Sequence, residues 1–346
     1  MLTCFQSRVI HLLKIEIPVL MENGNFVISL DFEIYWGVRD VLKIDQYRNH
    51  LLGVRAVIPG LLHLFNKYQI HATFATVGLL FFTDKKEMLA GLPDRKPEYA
   101  DKHLSPYEGH FEEVGRDETD DLFHFAPSLI KMIQQSGQEI GCQTFSHYYC
   151  LEGGQTIEDF RDDLRAAKRI AEKNGITLKS FVFPRNQYNE AYLKVCKEEG
   201  IISYRGNEVS WLYKAKDYDS ETIFRRANRL IDAYLNLSGQ HCYQLPVMKD
   251  DEPCNIAASR FLRPYSKRWA FMDWLRLRRI TNSMTHAAKN GLTYHLWWHP
   301  HNFGINLSDN LEFLENILVH YQKLAAKYSF KSVSMTQLAE QIKSNQ

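Results

Sequence analysis

Asp31 and Glu33 stand two residues apart at the end of the apolar run NFVISL, residues 25–30. Side chains repeat every second residue along a strand, so extended backbone past Leu30 puts both carboxylates on one side. Two acids on one face beside apolar neighbours suit metal binding or base catalysis; a cap on the next segment plus a surface acid is the plain alternative. A second group lies in QTFSHYYC, residues 143–150, where His147 follows an apolar run and Gln143 precedes it by four. A histidine at 143 would make a ligand hairpin; as it stands, His147 alone reads more readily as a satisfied structural imidazole. In FVFPRNQYN, residues 181–189, Pro184 closes an apolar run and Arg185 follows. An arginine there either holds a carboxylate by a bidentate pair or forms an ordinary surface ion pair. LWWHPHNFG, residues 296–304, ends an apolar run in His299, Pro300, His301 and Asn302. Two imidazoles around a proline suit general acid work near neutral pH. Asp232, in a helix-like stretch, reads by default as a solvated acid. RFLRPY, residues 260–265, either meets a sugar or phosphate or covers the core.

Strand and helix patterns alternate along almost the whole chain, which is α/β organisation. Apolar residues at helical spacing run through 47–68, followed by a β-branched and aromatic run at HATFATVG. Residues 92–121 are polar and rich in Pro, Gly and charge, a long loop of the kind that shapes binding sites. Thr156 and Asp159 open a helix close to a capping box, and Asn174-Gly175 stops it. A basic amphipathic helix spans 269–290 and a long helix 311–328; residues 208–265 carry no clear pattern. In a parallel α/β barrel, active residues come from the C-terminal strand ends and the loops after them. All four clusters follow apolar strand runs, in chain order.

The chain has 346 residues, a formal net charge of +1 and no long Lys/Arg run, so nucleic acid is a poor partner. Six scattered cysteines form no C-x-x-C pair and read as thiols in a reducing compartment, which predicts a cytoplasmic protein. Residues 9–20 are apolar but interrupted by Lys14 and Glu16, too short and charged to span a bilayer and unlike a signal peptide. Met21 reads as a natural start. The expected organisation is an N-terminal extension, residues 1–24, before one domain over 25–346. Composition leaves the oligomeric state open.

The ordered set of motifs resembles the polysaccharide deacetylase family, the chitooligosaccharide deacetylase homology domain of carbohydrate esterase family 4, from about Asn25 to Gln341. Ser29-Leu30-Asp31-Phe32-Glu33 is similar to the family's T-F-D-D-G, and Ala72-Thr73-Phe74 to its A-T-F-F strand. Gln143 to His147 falls on H-[ST]-x-x-H, Phe183 to Asn186 on an Arg-Pro segment, and Trp298-His299-Pro300 on L-H-P. The SHYYC and HPHNFG stretches resemble a subgroup associated with surface-polysaccharide biosynthesis. The resemblance implies an irregular seven-stranded (β/α) barrel, one domain. It implies hydrolysis of an acetamido group on an amino sugar or saccharide precursor, assisted by a divalent metal, zinc first. Asp31 matches the general base, His299 the general acid, and Arg185 lies near the position that steadies the base. Glu33, His147 and Gln143 match the metal positions. Trp36, Tyr148, Asn186, His301 and Asn302 fall where substrate contacts are expected, and Asp232 is a candidate partner for His299. Gln143 departs from the family's first ligand histidine, and a glutamine carbonyl is a poor zinc ligand beside imidazole. Three outcomes stay open: another residue such as His301 supplies the ligand, the domain hydrolyses a C–N bond without metal, or it binds saccharide with weak or no turnover.

Overall fold

The apolar runs that end at each chemical cluster are strands, and their near-continuous hydrophobicity has one cause: they are covered on both faces. A computed structural model describes residues 23–210, 228 and 230–345. The strands are β1 (Asn25–Phe32), β2 (Ala72–Thr76), β3 (Glu139–Cys142), β4 (Ser180–Val182), β5 (Ser203–Arg205), β6 (Cys254–Asn255), β7 (Arg260–Phe261), β8 (Thr293–Trp298) and β9 (Lys331–Ser332). They pair in the order β6-β5-β4-β3-β2-β1-β8-β7, with β9 on β1, and every pairing is parallel. All eight residues of β1 and all six of β8 are buried.

The sheet curls until its two ends meet. β6 and β7 are separated by residues 256–259 alone, and that link bonds to both sides of the gap. Ala258 N donates to Gly206 O at 2.8 Å beyond β5, and Ser259 N donates to His295 O at 2.8 Å on β8. The His295 ring, fully buried, bridges Ile256 O at 3.0 Å and Ser29 Oγ at 2.8 Å inside the barrel. The architecture is therefore the expected irregular (β/α) barrel. Its strand count is nine among the described residues, against the seven implied by the resemblance, and three of the nine (β6, β7 and β9) are only two residues long.

Helices Ile44–Tyr68, Pro127–Gln135, Ile157–Lys173, Glu190–Glu198, Asp273–Lys289 and Leu307–Tyr328 alternate with the strands. The helix at Ile157 begins as its sequence dictates. Thr156 Oγ1 accepts from Asp159 N at 3.2 Å, and the Asp159 carboxylate accepts from Thr156 N at 3.0 Å. It stops at Gly175, whose φ of +72° is left-handed backbone. The five described cysteines are free thiols. Among the described residues no helix is long and apolar enough to cross a membrane. The 1–20 stretch and, within 208–265, residues 211–227 and 229 lie outside the described residues.

One close approach sets the position of the turn after β8. A Cβ on Gly53, inside the helix Ile44–Tyr68, would lie 2.0 Å from Gly304 O and 2.4 Å from Gly304 Cα. Both obstacles are backbone, so no side chain can move aside. Gly53→Ala is expected to push this helix away from the Pro300–Phe303 turn and to destabilise the protein by about 2 kcal/mol, within the usual overpacking range. Urea denaturation checks this; a variant as stable as the wild type would mean that the helix and turn are not packed this tightly.

Candidate active site

β1 and β8 are hydrogen-bonded neighbours, with Leu30 opposite Trp298, so their C-terminal ends open side by side. Asp31 leaves the end of β1, Glu33 follows it, and His299 follows β8. The backbone here is unusual for L-residues. Ile34, Thr144, His147, Arg185 and Asn186 all have φ between +47° and +64°. Left-handed non-glycine backbone costs free energy and persists where surrounding contacts over-determine it. The contacts around His147 are explicit. Asp163, buried in the helix Ile157–Lys173, accepts from Phe145 N at 2.6 Å, Ser146 N at 3.2 Å and the Ser146 hydroxyl, and so pins the turn that presents His147.

Asp31 is held by a residue that its motif does not contain. Arg205, at the end of β5, donates Nη1 to Asp31 Oδ1 at 2.5 Å and Nη2 to Oδ2 at 2.8 Å. The guanidinium also donates to Ser29 Oγ at 3.1 Å and Asn186 Oδ1 at 3.0 Å, and lies 4.1 Å from the Trp297 ring centroid. Both side chains are essentially shut off from solvent. Burial pushes the Asp31 carboxyl up, but the charge and hydrogen bonds of Arg205 outweigh it and hold the group below the usual carboxylate range.

Glu33 has the opposite balance. Its Oε2 accepts from Gln143 Nε2 at 2.8 Å and lies 3.2 Å from His147 Nε2, while Oε1 lies 3.5 Å from His299 Nε2. Among the described residues no arginine forms an ion pair with it. Burial, with the nearby Asp31 charge adding to it and His299 opposing, pushes its pKa up to about 7. Burial likewise lowers His147 to about 3. His299 Nε2 stands 3.7 Å from Asp31 Oδ2, and its side chain keeps 24% exposure, so it faces the open side. Phe261 and Trp297 flank its ring, with centroids at 6.0 and 5.7 Å.

Several expected contacts fall elsewhere. Arg185 pairs with Asp40 and stacks over Tyr149 at 4.5 Å; Arg205 takes the place beside Asp31. The Pro184–Asn186 turn explains the switch: with both residues in left-handed backbone, Arg185 reaches Asp40 while Asn186 reaches Arg205. Asp232 pairs with Arg260 at 3.2 Å and accepts from Leu237 N and Ser238 N, whereas the carboxylates at His299 are Asp31 and Glu33. Trp36 and Tyr148 are buried core residues: the indole Nε1 donates to His124 O at 3.0 Å, and the phenol oxygen lies 3.0 Å from both Gln155 Oε1 and Thr156 O. Large rings beside a strand end fill the barrel wall as readily as a groove, and their apolar area is covered here. Asn186 meets Arg205; Asn302 meets His299 Nδ1 at 3.4 Å; His301 is buried and stacks on His299 at 5.0 Å.

The donors fit a divalent cation. Ligand atoms of Asp31, Glu33 and His299 lie within 4.8 Å of one another. The nitrogens of His147 and His299 stand 3.2 and 3.5 Å from the Glu33 oxygens, and two ligands at about 2.0 Å from a tetrahedral ion stand roughly 3.3 Å apart. Gln143 Oε1 is buried and has no hydrogen-bond partner among the described residues. The set differs from the expected Glu33, His147 and Gln143 by drawing in His299 and Asp31. Arg205, Asp40 and Tyr149 were not singled out from sequence. Arg205 has a local signal, a basic residue closing the short strand run IISYR, but its partner lies 174 positions away.

Comparison with known proteins bears on the fold and on the central part of the chain. Residues 45–203 match the family model for polysaccharide deacetylase. A provisionally named polysaccharide deacetylase from Mycobacterium smegmatis superposes with a TM-score of 0.59 at 15% identity, over 94% of this chain and 93% of that one. A second, from Pseudomonas aeruginosa PAO1, superposes with a TM-score of 0.51 at 12% identity, over 93% of this chain and 89% of that one. At such identities the two structures speak for the fold alone. No curated protein matches the chain. The family match over residues 45–203 and the shared barrel lead to one statement: this chain carries the fold of the polysaccharide deacetylases and resembles that family through its central part.

Proposed function

We propose that this protein removes an N-acetyl group from an amino sugar or saccharide precursor in polysaccharide metabolism, as one catalytic domain over 25–346. The observation that carries the reading is the convergence of Asp31, Glu33 and His299 within 4.8 Å at the open end of the barrel. Asp31, kept ionised and aimed by Arg205, takes the proton of the attacking water. His299, half-open to solvent, gives a proton to the leaving amine; the products are acetate and a free amino sugar. Phe261, partly buried beside the His299 ring, offers a ring face for the sugar. Glu33 and His147, with the open Gln143 oxygen, would hold a divalent metal, zinc first. Zinc in such a site polarises an amide oxygen and lowers the pKa of bound water to about 7. The scattered free thiols support a cytoplasmic location.

A second reading has its own observation. Gln143 donates an N–H to Glu33 where the family places a ligand imidazole, and burial favours protonated Glu33. A protonated Glu33 satisfies its neighbours without a cation, which suits metal-independent hydrolysis of another C–N bond by the same Asp31 and His299. Elemental mass spectrometry of purified protein, with acetate release from N-acetylhexosamine conjugates with and without zinc, separates the two. We expect about one metal per chain, lost in Glu33→Ala and His147→Ala, and acetate release that falls at least about 100-fold in both. No metal and no acetate, even with zinc supplied, would sink the deacetylase reading and leave a metal-free hydrolase or a saccharide-binding domain.

A further inference from the structure

Behind His147 lies a chain of polar groups that the proposed chemistry does not use. His147 Nδ1 is 3.1 Å from Tyr149 Oη, and Tyr149 Oη is 3.0 Å from Asp40 Oδ2. That same Oδ2 is paired with Arg185, whose guanidinium also covers the Tyr149 ring. His147, Tyr149 and Asp40 are all buried or nearly so.

The donor inventory fixes the direction of these bonds. A carboxylate paired with arginine only accepts, and a tyrosine hydroxyl has one hydrogen to give. That hydrogen goes to Asp40. Tyr149 Oη therefore accepts from His147, so the ring hydrogen sits on Nδ1. In the neutral ring the other nitrogen, Nε2, is then bare, and it faces Glu33 Oε2 at 3.2 Å. Two lone pairs meeting across that distance repel unless a proton or a cation lies between them. We propose that Tyr149 and Asp40 are positioning residues that hold His147 in its Nδ1–H tautomer, presenting a bare Nε2 to a cation shared with Glu33. Buried histidine ligands are commonly oriented in this way by the hydrogen bond on their other nitrogen. The tautomer follows from the hydrogen bonds alone; its use in holding a cation rests on the metal-assisted reading above.

Nitrogen-15 NMR of histidine-labelled, metal-stripped protein at pH 8 reads the tautomer directly, with His147 identified by the signals lost in His147→Gln. We expect an unprotonated Nε2 and a protonated Nδ1 in the wild type. In Tyr149→Phe the proton moves at least partly to Nε2, and the zinc dissociation constant measured by calorimetry rises about 10- to 100-fold. A wild-type His147 protonated on Nε2 overturns the proposal, and that spectrum decides even if the variant fails to fold. Unchanged tautomer, or unchanged zinc affinity, in Tyr149→Phe also overturns it. The expected tautomer shift with no zinc bound by either protein supports the positioning role and sinks the metal-assisted reading instead.

Discussion

Asp31→Asn is expected to lower the turnover number for acetate release by about 10²- to 10⁴-fold while leaving KM nearly unchanged. The amide has the size of the carboxylate and its oxygen still accepts one hydrogen bond from Arg205, while the buried guanidinium loses its counter-charge, so the variant is expected to fold with reduced stability. What disappears is the ability to take a proton from water. Because substrate contacts are retained, the loss belongs in the chemical step rather than in binding. Measuring acetate release across a substrate series, with saccharide affinity by calorimetry, checks both halves. A variant that keeps turnover within tenfold of wild type would remove Asp31 from the role of base and shift attention to Glu33, whose raised pKa of about 7 suits proton transfer near neutrality. Equal saccharide affinity with no turnover in the wild type would instead mark a binding domain.

Arg205→Met is expected to destabilise the fold by about 3–5 kcal/mol at pH 7.5, because it strands a buried carboxylate. Asp31 is 3% exposed, and Arg205 supplies two hydrogen bonds to it together with the opposing charge. The double variant Asp31→Leu/Arg205→Met should recover most of that loss, since replacing both partners leaves no unpaired charge in the barrel. The pH dependence has a definite sign. In the wild type the Asp31 pKa is depressed in the folded state, so its contribution is present above the ordinary carboxylate range and is lost as pH falls through the lower folded value. Without Arg205 burial dominates, the Asp31 pKa rises, and acid neutralises the stranded charge. The stability gap between variant and wild type should therefore narrow between pH 7.5 and 4.5 in urea titrations. A gap that stays constant, or a double variant no more stable than the single one, would mean that the cost comes from lost packing against Trp297 rather than from the ion pair.

The residues that the two experiments probe were legible in the sequence to different degrees. Asp31 and Glu33 stand out because a two-residue spacing at a strand end puts both on one face, and the strand itself is visible as a doubly covered apolar run. His299 stands out for the same reason at the end of β8. The polar loop at 92–121 and the cap at Thr156 were also readable, since loop composition and capping are short-range effects. Arg205 closes an apolar run as visibly as Arg185 does, yet nothing local says which of the two reaches Asp31. The turn at Pro184–Asn186 decides it by its left-handed backbone, a feature that neither arginine nor asparagine announces.

What the sequence by itself determined is the longer strands, most of the helices between them and the rule that chemistry collects at strand ends. These depend on periodicity and turn residues within a dozen positions. The tertiary structure alone decided which ends meet and which rings face out. Parallel strands bring together residues separated by a whole helix or several, so Arg205 meets Asp31 across 174 positions and Gln143 meets Glu33 across 110. Barrel curvature then sends Trp36 and Tyr148 into the wall and leaves His299 at the opening. Side-chain partners across such distances are chosen by the closure of the sheet, which local pattern does not encode.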